Sequence, residues 1–368
     1  MAGLSKQYPI IIFWGLLLTL VLSGCETVHF YSQAISGQQR ILQSRQPISE
    51  ITADPDSPEF LRQQLTYLME VRSFAENDLH LPVANNYLTY VDLKRPYVAW
   101  NVVATPEFSL VPKMWCYPFV GCAAYRGYFA EADARQYAGV LERQGYDVHV
   151  GGVTAYSTLG WFDDPVLSTF IRQSRASAAA LLFHELAHQI LYVPDDTTFN
   201  ESFATFVEQE GLRRWQKKSG NSAIYSQYLK NFRRRQQFVK LVFEHRQKLE
   251  ALYQTDLAPA EKRVKKASIF ADLRDEFQYL KSKHTALAAY DDWINRPLNN
   301  AKISGVVAYH DYVPAFSKLL AENGGDLLQF YEACRKLAGK NKEDRDRFLK
   351  QINQNEPEIA MTEFHLDR

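Results

Sequence analysis

The stretch Leu181-Leu182-Phe183-His184-Glu185-Leu186-Ala187-His188-Gln189-Ile190 constrains the fold of this chain more than any other. Its leucines, alanine and isoleucine predict a buried helix. Two histidines and a glutamate have no packing reason to lie in such a helix, because a buried polar group costs free energy unless something binds it. Residues four apart share a helical face, so His184 and His188 can reach one ion while Glu185 points close to that ion without ligating it. The pattern is that of a metal-activated water with a carboxylate base beside it, and it predicts one Zn2+ as cofactor.

A hydrolytic zinc site takes three protein ligands and keeps one position open. The helix is expected to end near Tyr192, where Pro194-Asp195-Asp196 turns the chain, and a second helix from Thr198 can run back beside the first. It carries Glu201 and, two turns further on the same face, Glu208. Thr198-Phe199-Asn200-Glu201 also fits a capping box, in which Glu201 would close the helix start instead of binding metal. On these grounds the third ligand is open between the two glutamates.

The chain's 368 residues, 46% of them hydrophobic, suffice for a sizeable core. Lys+Arg and Asp+Glu both number 42, so no net charge concentrates a polyanion, and no nucleic-acid motif is present. Nucleic acid is set aside as a partner. Lys6 and the apolar run Ile10 to Leu22 form a signal-like amino terminus, too short to span a bilayer comfortably. Cys116 and Cys122, with Pro118 and Gly121 between them, can close a small disulfide loop, and Cys334 is expected to be a buried helical residue.

Hydrophobic periodicity predicts helices over 28–46, 59–77 and 131–144, and short strands between Tyr87 and Val111 and over Val148 to Val153. The last of these runs into Gly151-Gly152-Val153-Thr154-Ala155-Tyr156. Paired glycines there suggest an edge strand where a substrate backbone could pair, with Gly152, Val153, Ala155 and Tyr156 as the contact residues. Long helices over 223–254 and 259–291 predict an antiparallel hairpin, whose Arg233-Arg234-Arg235 run reads as a solvated face. Shorter helices follow over 313–323 and 326–337, and the polar tail after Lys340 carries little signal. The expected fold class is α+β, mostly helical. A signal segment (1–24) precedes a sheet-containing amino-terminal part (25–165), whose edge strand lies beside a zincin-like metal helix. The metal helices (166–215) and a helical carboxy-terminal part (216–368) follow.

Several segments resemble known families. Leu22-Ser23-Gly24-Cys25 is similar to the bacterial lipobox, which implies cleavage before Cys25, a lipid on that cysteine and a periplasm-facing membrane anchor; Glu26 after it implies the outer membrane. Asn200-Glu201-Ser202-Phe203-Ala204 resembles the Asn-Glu-Gly-Phe-Ala segment of gluzincin aminopeptidases. That match implies Glu201 as third ligand and Glu208 as a carboxylate orienting a ligand histidine, although twelve residues between His188 and Glu201 make an unusually short link. The whole chain, including Tyr125-Arg126-Gly127-Tyr128-Phe129, 155–160 and 309–316, resembles a bacterial lipoprotein family whose name, itself a prediction, is that of zinc aminopeptidases. The resemblance implies peptide substrates, with Glu185 as general base. A further donor to the developing oxyanion is expected among Tyr309, His310 and Tyr312, with Tyr156 behind them. A zinc endopeptidase, and an envelope lipoprotein that only binds a partner through its helical hairpin, remain open.

Overall fold

The computed structural model of the chain describes residues 8–117, 121–155, 158, 162–220, 222–306 and 312–354. Helix α1 (Tyr8–Gln43) leads into β1 (Gln46–Pro47), α2 (Ile48–Ala53) and α3 (Glu59–Asn77). A strand-rich stretch follows: β2 (Thr89–Val91), β3 (Ala99–Pro106), β4 (Trp115–Tyr117), β5 (Gly121–Ala123), β6 (Arg126–Tyr128), α4 (Glu131–Arg143), β7 (Tyr146–Val153) and β8 (Val166–Leu167). The rest is helical: α5 (Ser168–Ile171), α6 (Arg175–Ile190), α7 (Thr197–Ser219), α8 (Ser222–Tyr253), α9 (Pro259–Lys283), a 3-10 segment (Thr285–Tyr290), α10 (Asp291–Asn295), α11 (Asn300–Ser304), α12 (Val313–Glu322), α13 (Leu327–Ala338) and α14 (Lys342–Gln354). The protein is thus α+β and mostly helical. None of its described helices is long and apolar enough to cross a membrane.

Among the described residues three small sheets form, in the orders β6-β3-β7, β1-β2-β8 and β4-β5. Strand β3 pairs antiparallel with both neighbours, Trp100 opposite Tyr128 on one side and Gly152 on the other. Its alternate residues Trp100, Val102 and Ala104 are buried with Ala134, Ala138 and Leu141 of α4 and Phe30 of α1, as a two-residue strand period requires. Among the described residues strand β7 pairs only with β3, at an edge of its sheet. Part of that edge is occupied, because Asn299 Nδ2 donates to Val148 O at 2.7 Å. Toward its end the ring of Tyr97 lies over Gly152, so close that any Cβ there would overlap it. Val153 and Ala155 pack against the main core; Tyr156 lies outside the described residues.

The main core takes side chains from Ile41 to Leu349 and is centred on α6 and α7. The parts divided at 165 and 215 on sequence therefore share one core. The two helices pack closely because α6 presents Ala176, Ala178, Ala179 and Ala180, all buried, and α7 offers Gly211 against Phe183. A Cβ at Gly211 would stand 2.7 Å from Phe183 Cδ2. Phe183, Phe199 and Phe203 are fully buried here, each contributing roughly 1.5–3 kcal/mol of hydrophobic stabilisation. The expected α8–α9 hairpin is present, with its own cluster around Phe238, Val242, Leu273 and Phe277. Arg233 and Arg235 are exposed, while Arg234 is half-buried and bonds Asn231.

Two local features depart from the sequence expectations. The first turn of α7 is capped by Asp196, whose carboxylate accepts from the Phe199 N–H at 3.3 Å; Thr198 lies within the helix, so Glu201 does not stand at the capping-box position. The tail after Lys340 forms α14, whose Arg345 reaches the same aspartate. Arg345 donates to Asp196 Oδ2 through Nε at 3.1 Å and Nη2 at 2.7 Å, and Lys342 donates to Oδ1 at 3.2 Å. Asp196 and Arg345 are both buried. Removing one partner of a buried ion pair leaves the other charge uncompensated. Arg345→Ala is accordingly expected to cost about 3–5 kcal/mol, read as a lower urea midpoint at unchanged slope, whereas Arg347→Ala on the exposed face of α14 should change it by well under 1 kcal/mol.

Candidate metal centre

Helix α6 begins at a Ser174 cap, whose Oγ accepts from the Ser177 N–H, and ends at Ile190 because Pro194 disfavours helix in the residue before it. The link to α7 is then closed by one side chain. Asn200 Oδ1 accepts from the Val193 N–H and Asn200 Nδ2 donates to the Val193 carbonyl, each at 2.8 Å. Asp195 takes a left-handed φ of 61° in the turn. This two-point clamp is what lets twelve intervening residues suffice. It places Glu201 one residue after the clamp, facing back toward α6.

The result is a triangle of donors. His188 Nε2 lies 3.2 Å from His184 Nε2, and the Glu201 oxygens lie 3.4 Å from His184 Nε2 and 3.7 Å from His188 Nε2. Donors bound at 2.0–2.1 Å on a tetrahedral zinc stand about 3.3 Å apart. The three residues present therefore fit a tetrahedral cation with one position open. Glu208 sits on the other side of the ring: its Oε2 is 3.0 Å from His184 Nδ1, and Tyr228 donates its hydroxyl to Oε1 at 2.8 Å. With the carboxylate accepting from Nδ1–H, the Nε2 lone pair of His184 is turned into the triangle.

The electrostatics also ask for a positive charge. Burial alone would lower the pKa of His184, but the hydrogen bonds to Glu201 and Glu208 override it and raise the value to about 10. Burial, followed by the charge on His184, lowers His188 to about 4. In the metal-free protein a proton on His184 thus occupies the place of the cation. Glu185 is raised to about 7, first by burial and then by Glu201, Asp164 and Glu208, with His184 opposing.

Residues that the sequence reading did not single out complete the surroundings. Asp164 is buried, accepts from the Thr158 N–H and hydroxyl at 2.9 and 2.8 Å, and is joined to the last turn of α6 through Asn86 and Gln189. Tyr87 is buried beside Glu185 and Asp164, with its pKa pushed well up, first by burial and then by their charges. It has a left-handed φ of 62°, and its hydroxyl has no hydrogen-bond partner among the described residues. A bulky residue in that conformation is strained and persists only where the surroundings enforce it. Tyr192 sets its ring edge-on to His188, 6.3 Å between centroids. Tyr125 feels the charges of Tyr192, Glu201 and Glu185. Of the expected oxyanion donors, Tyr312 is buried in the main core and donates its hydroxyl to Asp346 of α14 at 2.9 Å; Tyr309 and His310 lie outside the described residues. Cys116 and Cys122 are joined as a disulfide, and Cys334 is a buried free thiol.

This mostly helical protein thus brings His184, His188 and Glu201 together in a group that could hold a metal ion. The family model described as "Putative aminopeptidase" matches residues 29–349, and the chain belongs to that family. Neither curated proteins nor solved structures gave a match.

Metal uptake should release protons, since the cation displaces the one on His184. Titrated by calorimetry near pH 7 in buffers of different ionisation enthalpy, zinc binding should release about one proton from the protein. The apparent affinity should rise about tenfold per pH unit below a pH of about 10. A pH-independent affinity would contradict the geometry.

Proposed function

We propose that this protein is a zinc peptidase that removes amino-terminal residues from peptides, with Glu185 as general base. The observation that carries this reading is the donor triangle of His184, His188 and Glu201, with Glu185 on the next helical position, half-buried and raised in pKa to about 7. A zinc ion held there would polarise the scissile carbonyl and lower the pKa of a water. Glu208, braced by Tyr228, keeps His184 in the ligating tautomer. Glu185 takes the proton of the attacking water and hands it to the departing amine, a role suited to a carboxyl whose pKa lies near the working pH. The end of β7 at Gly152 and Val153, with Ala155 just beyond it, is the candidate edge for the extended substrate backbone.

The same reading puts the protein in the bacterial envelope, cut before Cys25, lipid-anchored there and facing the periplasm from the outer membrane. The Cys116–Cys122 disulfide supports an oxidising compartment.

In Glu185→Gln, zinc should remain stoichiometric while kcat falls by about 10²–10⁴-fold. Unchanged cleavage would remove the mechanism, and a purified protein without zinc would favour a binding role. The acidic limb of kcat/KM should lie below the value of about 7 that Glu185 has without the ion, because a nearby cation favours the carboxylate. For the anchor, expression of Cys25→Ser in bacteria fed radiolabelled palmitate should abolish the label carried by the parent chain.

A further inference from the structure

Large apolar side chains exposed singly on a surface need no explanation, but several brought together from distant segments mark a binding surface. Two stand near the donor triangle. Tyr192, 51% exposed, stands on the α6–α7 link with its ring against His188. Tyr125, 48% exposed, follows β5 in the hairpin closed by Cys116–Cys122. That hairpin lies against the same link, since a Cβ on Gly121 would stand 4.0 Å from Asp195 Oδ1. The disulfide and the Asp195 turn hold these aromatics on supports of their own. A preformed wall of this kind binds a partner side chain without ordering its own groups first.

We propose that Tyr125 and Tyr192 wall an apolar subsite beside the donor triangle that accepts a bulky apolar side chain, aromatic foremost, on the amino-terminal residue of the substrate. The proposal rests on the peptidase reading above. Aromatic rings pack edge-on or offset against one another, and the tyrosines add a polar rim that keeps the empty subsite wetted. The groups named around the triangle are otherwise acidic, namely Glu185, Glu201, Glu208 and Asp164. An acidic side chain should therefore be disfavoured.

The test uses the full zinc-loaded chain with two readouts. Binding of phenylalanine, glycine, lysine and glutamate hydroxamates is measured by calorimetry. Cleavage is measured on peptides identical except for Phe, Ala, Lys or Glu at the free amino terminus. Phenylalanine hydroxamate should bind about tenfold or more tightly than the others, with kcat/KM following the same order. Tyr192→Ala and Tyr125→Ala should each narrow the gap between the phenylalanine and glycine compounds. Equal affinities, a preference for lysine or glutamate, or variants that weaken all four compounds alike would overturn the subsite. Cleavage of every peptide without discrimination overturns the subsite and leaves the peptidase. Selective hydroxamate binding with no peptide cut upholds the subsite and removes the peptidase.

Discussion

Two imidazole nitrogens held 3.2 Å apart inside a protein, with a carboxylate oxygen 3.4 Å from one of them, form an arrangement that needs a proton or a cation among its atoms. Without metal it is a proton on His184, which burial disfavours and the hydrogen bonds to Glu201 and Glu208 hold in place. Everything else around α6 and α7 serves to keep these atoms from separating. The alanines of α6 and Gly211 of α7 set the distance between the helices, and the Asn200 clamp on Val193 fixes the register at which α7 begins. A shift of one residue in that start would rotate Glu201 by about 100° about the helix axis and take its carboxylate out of the triangle.

The register is in turn held from the far end of the chain. Asp196 caps α7 and at the same time pairs with Arg345 and Lys342 of α14. Tyr312 at the start of α12 donates to Asp346 on that helix. The α6–α7 link is thus enclosed from the carboxy-terminal side by charge and from the amino-terminal side by the disulfide-closed hairpin at Asp195. A short link under two independent restraints can hold its geometry with or without an ion, which is the condition for a metal site that binds without folding around its metal.

The sequence made the chemistry legible and concealed its supports, for a physical reason. His184, Glu185 and His188 stand out because they violate the apolar pattern of their helix, and α3 was readable to its ends, Glu59–Asn77, because Pro58 and its apolar period both mark it. Glu201 could be named through resemblance, yet whether it stands at the capping-box position depends on which residue caps α7, and Asp196 and Thr198 are equally good caps on paper. The α14 helix was missed because its polar composition hides the single inward face that carries Arg345. Asp164, Tyr87 and Tyr192 were invisible for another reason: their significance is their distance to α6, and no local pattern encodes a long-range contact. Tyr312 has the right chemistry for an oxyanion donor, but its hydroxyl is engaged by Asp346.

The surplus of carboxylates follows from the same logic. Glu201 would neutralise half of a divalent cation, and Glu208 offsets the proton that keeps His184 in its ligating form. Glu185 and Asp164 then add further carboxylates beside them. Burial first, and then the neighbouring carboxylates, raise the pKa of Glu185 against the opposing charge of His184, and holding a carboxyl in that state costs stability. A structural metal site would gain nothing from this excess, since closing it with a fourth neutral or thiolate ligand would be more stable. An open position next to an ionisable, half-desolvated carboxyl is useful only if a proton has to move there during each cycle. The strained backbone of Tyr87, held against both Glu185 and Asp164, belongs to the same expenditure of stability on the site. The energetic cost of the arrangement therefore argues for turnover at this centre, where the donor triangle alone argues only for binding.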